Sequence, residues 1–559
     1  MLIILPEKDY NTYQTILPLQ FNLSFQNDIA HDDISRTVLE VTGGINLNKY
    51  IDFTNRNTHG YNGIYMFNTL ILAWALFGYA STRKLEELCR TDIRFMFLMN
   101  NYRPSHQAFH RFIHDDLKMP IDKIFTEINK YIENHDTVDT SVLYLDGTKF
   151  EANANKMTFV WKKATTKYRS RCWEKTMKCI QRLNHYIKND LELSMLFSVY
   201  HEIRLDYLID VCDWIEQYMK DHGIDFKHGK GQRKHEIQRF YDELKEYALK
   251  MYKYTLHLDI LEERNSFSKT DPDATFIHMK YDYYNNTGVF KPGYNVQMGV
   301  SSEYIRHIYV SCDANDMKTY VPFMEGYYDA YKAYPSIVSA DAGYGSYDNY
   351  SYNSIHNIRQ YLKYSGYEKE KEKKTKRNQF KSFQMKENES GEIICPAGHA
   401  FTLVSSRLDH RSVYPRINQK YVNEHCGECP LRSKCTKAKN GRTLNRSRDV
   451  EKYHKEVREN IESDEGKKIM TQRSIQAEGV FANLKQDYGY TRLRRRGESG
   501  VKEEIFLAAI GYNIRKYHKP VSYTHLDVYK RQAKRCTSSC ICVNRKNREL
   551  SRFTGRMFP

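Results

Sequence analysis

The sequence predicts an α/β protein: a mixed sheet with helices on its faces, a helical N-terminal region, a helical insertion and a small zinc-ribbon-like insertion. Three observations predict it. Short β-branched and aromatic runs alternate with helical stretches, in the order strand, two strands, helix, strand, helix, strand and a late helix. From about Lys162 to Arg264 the chain is charged, helical in pattern and poor in Pro and Gly. Of twelve cysteines, only Cys395, Cys426, Cys429 and Cys435 are grouped as metal ligands would be.

The elements follow in order. Residues 1–130 read as a helical domain, with a long apolar run through GYNGIYMFNTLILAWALFGYA and a helix start at Pro104-Ser105. A compact bundle of this kind is either a DNA-binding module or a packing domain. The first strand is Val142–Leu145. It delivers Asp146 and is expected to break at Gly147. Residues 162–264 read as an inserted hairpin of two long helices, joined through the loop Asp221–Gly231. Strands are expected at Tyr294–Val300, Ile305–Cys312, Ser336–Ala340 and Gln360–Lys363, with helices at Met317–Tyr331 and Asp348–Arg359. The core is thus drawn from residues 140–161, 265–366 and 455–517, the last holding helices near Lys467–Gln486 and Lys502–Tyr517. Residues 367–450 form the cysteine-rich insertion, entered through a charged linker at Lys369–Lys381. Residues 520–559 show no periodicity and read as non-native sequence or as a disordered basic tail. The string VSYTHLDVYKRQ resembles one that recurs in translated assemblies contaminated by adapter sequence.

Composition narrows the function classes. The chain has 559 residues, enough for several domains and a large core. Lys and Arg exceed Asp and Glu by 17, and a basic body favours a polyanionic partner. The tail supplies nine Lys/Arg against two Asp/Glu, so the body holds the larger part of that excess. Leu2–Leu5 is too short for a secretory signal. The apolar stretch Ile64–Ala80 is interrupted by Asn68 and Thr69 and falls short of a membrane span. The expectation is a soluble cytoplasmic protein with reduced thiols and no membrane contact.

The chemistry is carried by acids. Asp146 at the end of one strand, Asp341 at the end of another and Glu478 on the late helix can together hold a pair of Mg²⁺ ions, which favour oxygen ligands. Two such ions can activate a nucleophile on one side of a phosphodiester and stabilise the leaving oxygen on the other. Phe481 and Lys485 follow Glu478 by three and seven residues and share its helix face. On that face Phe481 anchors the helix to the sheet and Lys485 reaches a phosphate. Arg492, Arg494, Arg495 and Arg496 in TRLRRRG can grip a DNA backbone, and Lys149 follows the first aspartate closely enough to touch phosphate. Trp161 suits either base stacking or packing. His278, His307 and Asp313 lie near predicted strands and either line the site or are satisfied locally.

Over roughly residues 15–517 the chain resembles the DDE transposases of bacterial insertion sequences, in particular the group with a cysteine-rich insertion and a DGTK-EANANK segment. The carriers are DGTKFEANANKMTFVWKK, SKTDPDATFIHMK, KPGYNVQMGV, ADAGYGSYDN, CGECPLRSKC, AEGVFANLKQDYGYTRLRRRG and AAIGYNIRKY, in that family's order. The resemblance implies an RNase H-like catalytic core and two Mg²⁺ or Mn²⁺ ions. It also implies cleavage and joining of double-stranded DNA at the element's terminal inverted repeats. An oligomer on the DNA and a bacterial, nucleoid-associated location go with it. It carries the catalytic roles to Asp146, Asp341 and Glu478. Related transposases show Tyr, Arg, Glu and Lys at set spacing around the last acid. Here Glu478 and Lys485 keep that spacing, Arg473 lies five residues before Glu478 instead of four, and Thr471 stands where the tyrosine would be. Arg473 remains a DNA-contact candidate. A catalytically decayed copy acting only as a DNA-binding protein is the alternative.

Cys426-x2-Cys429-x5-Cys435, with Cys395 as a fourth ligand, suits a closed tetrahedral Zn²⁺ site of structural type; His399 or His425 can replace one thiolate. Leu403, Val404 and Tyr414 fit a small ribbon around it.

Overall fold

The structure, a computed structural model, describes residues 29–50, 60–229, 231–279, 288–372, 378–385 and 387–518. The tail after Pro520, with Cys536, Cys540 and Cys542, lies outside the described residues.

Among the described residues six α-helices come first: α1 Ile34–Gly43, α2 Gly63–Phe77, α3 Thr82–Thr91, α4 Ile93–Leu98, α5 His106–Arg111 and α6 Ile121–His135. All but α6 start at a residue whose side chain caps the first turn. Asn62 accepts the amides of Ile64 and Tyr65, Ser81 that of Lys84, and Ser105 that of Ala108, where Pro104-Ser105 predicts a start. α2 is buried almost all round. Among the described residues no single helix is long and apolar enough to cross a membrane.

The sheet follows. β1 (Val142–Glu151) leads through β2 (Phe159–Trp161) into α7 (Lys162–Asn189), α8 (Leu205–Asp221) and α9 (Glu236–Leu261). The chain returns through β3 (Ser266–Ser268), β4 (Thr275–Met279), β5 (Val289–Ser301), β6 (Tyr304–Ser311), α10 (Asp316–Tyr331), β7 (Ile337–Gly345), α11 (Tyr347–Ile355) and β8 (Arg359–Tyr364). β1 lies at the centre. It runs antiparallel to β5, from Tyr144↔Val300 to Glu151↔Gly293, and parallel to β7. β7 is parallel to β8, while β6 and β4 share the far edge of β5. This mixed sheet with flanking helices is compatible with an RNase H-like core.

After the sheet come α12 (Tyr367–Lys371), the antiparallel strands β9 (Thr402–Asp409), β10 (Arg416–Val422) and β11 (Thr443–Arg446) with the short α13 (Arg432–Cys435), and then α14 (Arg448–Glu462), α15 (Asp464–Ala482) and α16 (Glu498–His518).

Two cores sandwich the sheet. One joins α1–α6 and α16 to Phe150, Tyr294, Val296, Met298 and Val300. The other joins Leu143 and Leu145 to α10, α11, β8 and α14. α2 meets α16 at Gly511, where an added Cβ would lie 2.7 Å from the Trp74 carbonyl carbon, so only glycine allows the backbones so close. Asn513 of α16 accepts the Ile305 amide and donates to the Ile305 carbonyl, and Asn129 of α6 donates to the carbonyls of Ile305 and Arg306. The N-terminal helices are therefore built into the sheet's cover.

Several expectations are corrected. β1 does not stop at Gly147; pairing with β5 carries it to Glu151. Likewise β7 runs past Asp341 to Gly345. The insertion has three helices, because residues 190–204 leave the helix although they lack Pro and Gly. Leu191, Leu193, Phe197 and Tyr200 turn back onto the insertion's own core, and Glu192 adopts φ +54°. The late helix ends at Ala482 in a π-turn over Asn483–Asp487. The short strands β2, β3 and β4 were not foreseen. Leu403 and Val404 sit in β9 but face solvent; the ribbon's small core is Met385, Ile393, Phe401 and Leu444.

Candidate active site

The pairing of β1 with β7 places the first two acids. Val142 faces Ile337, Leu143 faces Val338 and Tyr144 faces Ser339 in parallel register. Carried two residues further, the same offset sets Asp146 across from Asp341, where the ladder has ended and the strands part. Each carboxylate is steadied by a nearby amide: Gly147 N–H donates to Asp146 Oδ1 at 2.9 Å and Gly343 N–H to Asp341 Oδ1 at 2.8 Å. Arg473 of α15 brings Nη1 to 3.8 Å from Asp146 Oδ2, with both side chains mostly buried. This candidate DNA contact is thus an inward partner of the first acid.

A third acid at this place was missed by sequence reasoning. Asp316 opens α10, after the cap residue Asn315. Its Oδ1 accepts from Asn295 Nδ2 at 2.6 Å and from Gln297 Nε2 at 3.3 Å. A methyl added to Gly343 would lie 2.9 Å from Asp341 Oδ1 and 3.3 Å from Asp316 Oδ2, so both carboxylates border that glycine. The buried Tyr344 hydroxyl donates to Gln297 Oε1. Burial, then the charges of Asp316, Asp146 and Asp341, raise the Tyr344 phenol well above its ordinary value, against the opposing Arg473. It stays a neutral donor. The signal in the sequence was Asn315-Asp316, a cap and first-turn acid directly after a strand.

α15 packs along β1, and Lys485 Nζ donates to the Lys149 carbonyl at 3.0 Å while lying over the Phe150 ring. Phe481 is half-buried against the core beneath. Glu478 is exposed. It follows Arg473 by five residues, roughly 140° round a helix, so the two do not share a face. Among the described residues no three of His, Cys, Asp and Glu stand at metal-holding separation. The strand register sets Asp146 and Asp341 at matching positions, and Glu478 lies exposed on the neighbouring helix.

The arginine run is tied down from within. Arg495 points inward to the fully buried Glu503, and Glu504 accepts the amides of Arg494 and Arg495 and the Tyr490 hydroxyl. Arg492 reaches the Ala152 and Ala154 carbonyls, Arg496 that of Asn153, and Arg494 lies over Tyr79. Arg492, Arg494 and Arg496 remain exposed. The other candidates disperse. His307 packs on Phe323 and Tyr327, Asp313 meets Lys318 at 3.8 Å, and His278 lies on an outer edge against Phe290.

In the ribbon, Cys395, Cys426, Cys429 and Cys435 all line one cavity of about 20 Å³, beside His399 and His425. The Arg442 amide donates to Cys426 Sγ at 3.3 Å. Burial raises the Cys435 thiol; Arg442 opposes that, and the other three cysteines add to it.

Residues 394–518 match the family model described as transposase DDE domain. The matched segment takes in the ribbon, Glu478 and the arginine run; Asp146 and Asp341 precede it. No curated protein and no solved structure matches the chain.

Proposed function

We propose, from a resemblance to DDE transposases that residues 394–518 bear out, that this chain is a DNA transposase cleaving and transferring strands at the terminal inverted repeats of its own element. The family implies nuclease or transferase activity. The observation that carries the reading is the placement of Asp146 and Asp341 at matching positions on neighbouring parallel strands, beyond the last paired residues.

Two carboxylates at matching positions on neighbouring strands are hard oxygen donors that suit Mg²⁺ or Mn²⁺, with Glu478 as the third ligand of this reading. The bound ions would activate the attacking oxygen and stabilise the leaving one. The protein's own residues do the rest. Arg473 neutralises Asp146, and the Asp316, Asn295, Gln297 and Tyr344 network fixes the floor under both aspartates. Lys149, Lys485, Arg492, Arg494 and Arg496 are the proposed contacts to double-stranded DNA, with Arg495 acting through Glu503 to hold the run in place. A homo-oligomer on DNA, at the bacterial nucleoid, belongs to the same proposal. In the ribbon the four cysteines line one small cavity but do not stand at metal-holding separation, so a closed Zn²⁺ site would need them to draw together; with four protein ligands it would leave no open position for catalysis.

The test is Mg²⁺-dependent nicking of DNA carrying the element's ends. Asp341→Asn is expected to lose cleavage by at least about a thousandfold, the scale on which a principal catalytic term acts, while keeping DNA binding. Cutting at the unmodified rate by that variant would sink the assignment. The second reading is a decayed copy that only binds DNA; what favours it is that Glu478 is exposed and does not share a helix face with Arg473. In the same assay that copy would bind the ends and cut nothing, with Mg²⁺ or Mn²⁺.

A further inference from the structure

The helical insertion keeps one apolar stripe that its own core does not use. α9 runs from Glu236 to Leu261 and packs on α7 and α8 through Phe240, Leu244 and Met251. Leu249, Tyr252 and Leu256 lie about a third of a turn round the same helix from Leu244 and Met251. Their spacing, three and then four residues, sets them in one line. Leu249 and Tyr252 are each 65% exposed and Leu256 46%. Single exposed apolar side chains are ordinary on a protein surface, whereas a line of three large ones marks an interaction face.

One flank of that stripe carries opposite charges. Glu246 and Lys253 are exposed, and seven residues, two turns, separate them, so they stand one above the other. Glu246 pairs with Lys250 one turn on, an exposed contact of small worth that leaves the carboxylate open to a second cation. A flank with an acid toward one end and a base toward the other complements its own reverse. Laid against a second α9 running the opposite way, about a twofold axis between Leu249 and Tyr252, it sets Leu249 on the partner's Tyr252 and Glu246 beside the partner's Lys253. By the symmetry each contact is made twice. Leu256 falls along the methylene stem of the partner's Lys245. Asp259 nears the partner's Asp242, whose charge Lys234 already balances at 2.6 Å. The opposed direction also keeps the bodies apart. α9 joins the sheet at its C-terminal end, where Leu261 packs with Val160 and Phe267. The two roots therefore stand roughly 30 Å apart along the pair.

We propose that this face of α9 is where a second copy of the chain docks, antiparallel, with Leu249, Tyr252 and Leu256 buried between the two helices. Three apolar side chains alone would suit many partners. The order of Glu246 and Lys253 is what selects an identical helix in reverse. The pair forms without DNA, so the inference goes beyond the DNA-cleaving reading and does not depend on it. It gives the insertion a task, as the arm that holds two sheets, each with its Asp146 and Asp341, at a set spacing.

The experiment measures the mass of the full chain by sedimentation across a concentration series, without DNA. The unmodified chain is expected to pass from one chain mass to two as concentration rises. Leu249→Glu and Tyr252→Glu each place two carboxylates in the seam and are expected to weaken pairing by about thirtyfold or more. Both positions are exposed, so the circular dichroism of these variants should match that of the unmodified chain. Glu246→Lys sets like charges opposite each other and is expected to weaken pairing by about tenfold. Adding Lys253→Glu to it reverses both charges and should restore pairing. That rescue reads the antiparallel register, which an apolar face open to any partner would not show. A chain monomeric throughout the series, glutamate variants that pair as before, or a double reversal no better than the single one would each overturn the proposal. A chain that pairs in this way and cuts no DNA would overturn the transposase reading and leave this one standing. One that cuts the element's ends yet never pairs would do the opposite.

Discussion

Gly147 marks the point at which the floor of the candidate site has no room for a side chain. A Cβ there would lie 2.6 Å from Gln297 Oε1 and 2.8 Å from the Tyr344 hydroxyl, atoms already bonded to each other. In the sequence this glycine looks like a strand breaker; in the fold it is what lets β1 continue over a polar network. Asp316 carried only a local signal, the cap Asn315 before it. Its role depends on Asn295 and Gln297, two polar residues on a strand whose neighbours read as core. Asp146 and Asp341 were singled out by the motifs around them; the expectation that each ends its strand did not hold, because pairing carries β1 to Glu151 and β7 to Gly345. His307 shows a residue-level effect of burial. Desolvation, helped by Lys502 and opposed by Asp122, pushes its imidazole down to about 3. The unfolded chain therefore takes up a proton that the native protein refuses as pH falls from about 6.5 toward 3, and stability drops through that window. His307→Gln is expected to flatten that part of the profile, seen as a smaller fall in urea midpoint between pH 7 and pH 5. An unaltered profile would assign the acid sensitivity to other groups.

Among the elements, periodicity located the long ones well: α10, β5, β6 and α16 lie where apolar spacing and β-branched runs placed them. It failed where an element is defined by its partner. β2 and β3 are three residues each and exist through the register Phe159↔Ser268 to Trp161↔Ser266. The third helix of the insertion was hidden because the break at residues 190–204 is made by apolar residues folding back, with none of the usual punctuation. The ribbon makes a different case, since its apolar core is only four residues. So small a core does not hold three strands by burial alone, and a bound Zn²⁺ would supply the missing stabilisation. The expected result is about one zinc per purified chain by elemental analysis. Cys429→Ser should lose it and make the ribbon susceptible to protease while the main sheet resists. A full-length chain purified without zinc and with an intact ribbon would refute the site.

At the scale of the whole molecule, the chain is a covered sheet into which two units are spliced. The helical insertion has its own core and enters and leaves at adjoining residues, since the Lys162 amide donates to the Asn265 carbonyl at 2.9 Å. Replacing residues 163–264 with a short Gly-Ser turn is therefore expected to leave a soluble protein with a cooperative thermal transition, read by circular dichroism. Aggregation of that deletion would mean the insertion props up the sheet. The N-terminal helices are the opposite case. Sequence reading marks them off as a domain, yet α1–α6 share a core with α16, a fact about long-range contact that no local pattern reports. That sharing imposes an order on synthesis. α2 leaves the ribosome early with apolar residues on nearly every side, and its partner at Gly511 is translated only after the sheet, the insertion and the ribbon. Through that interval the apolar surface that α16 later covers is exposed and prone to aggregation. A product halted before Glu498 lacks the helix that closes that surface, so truncated copies are expected to be degraded instead of accumulating.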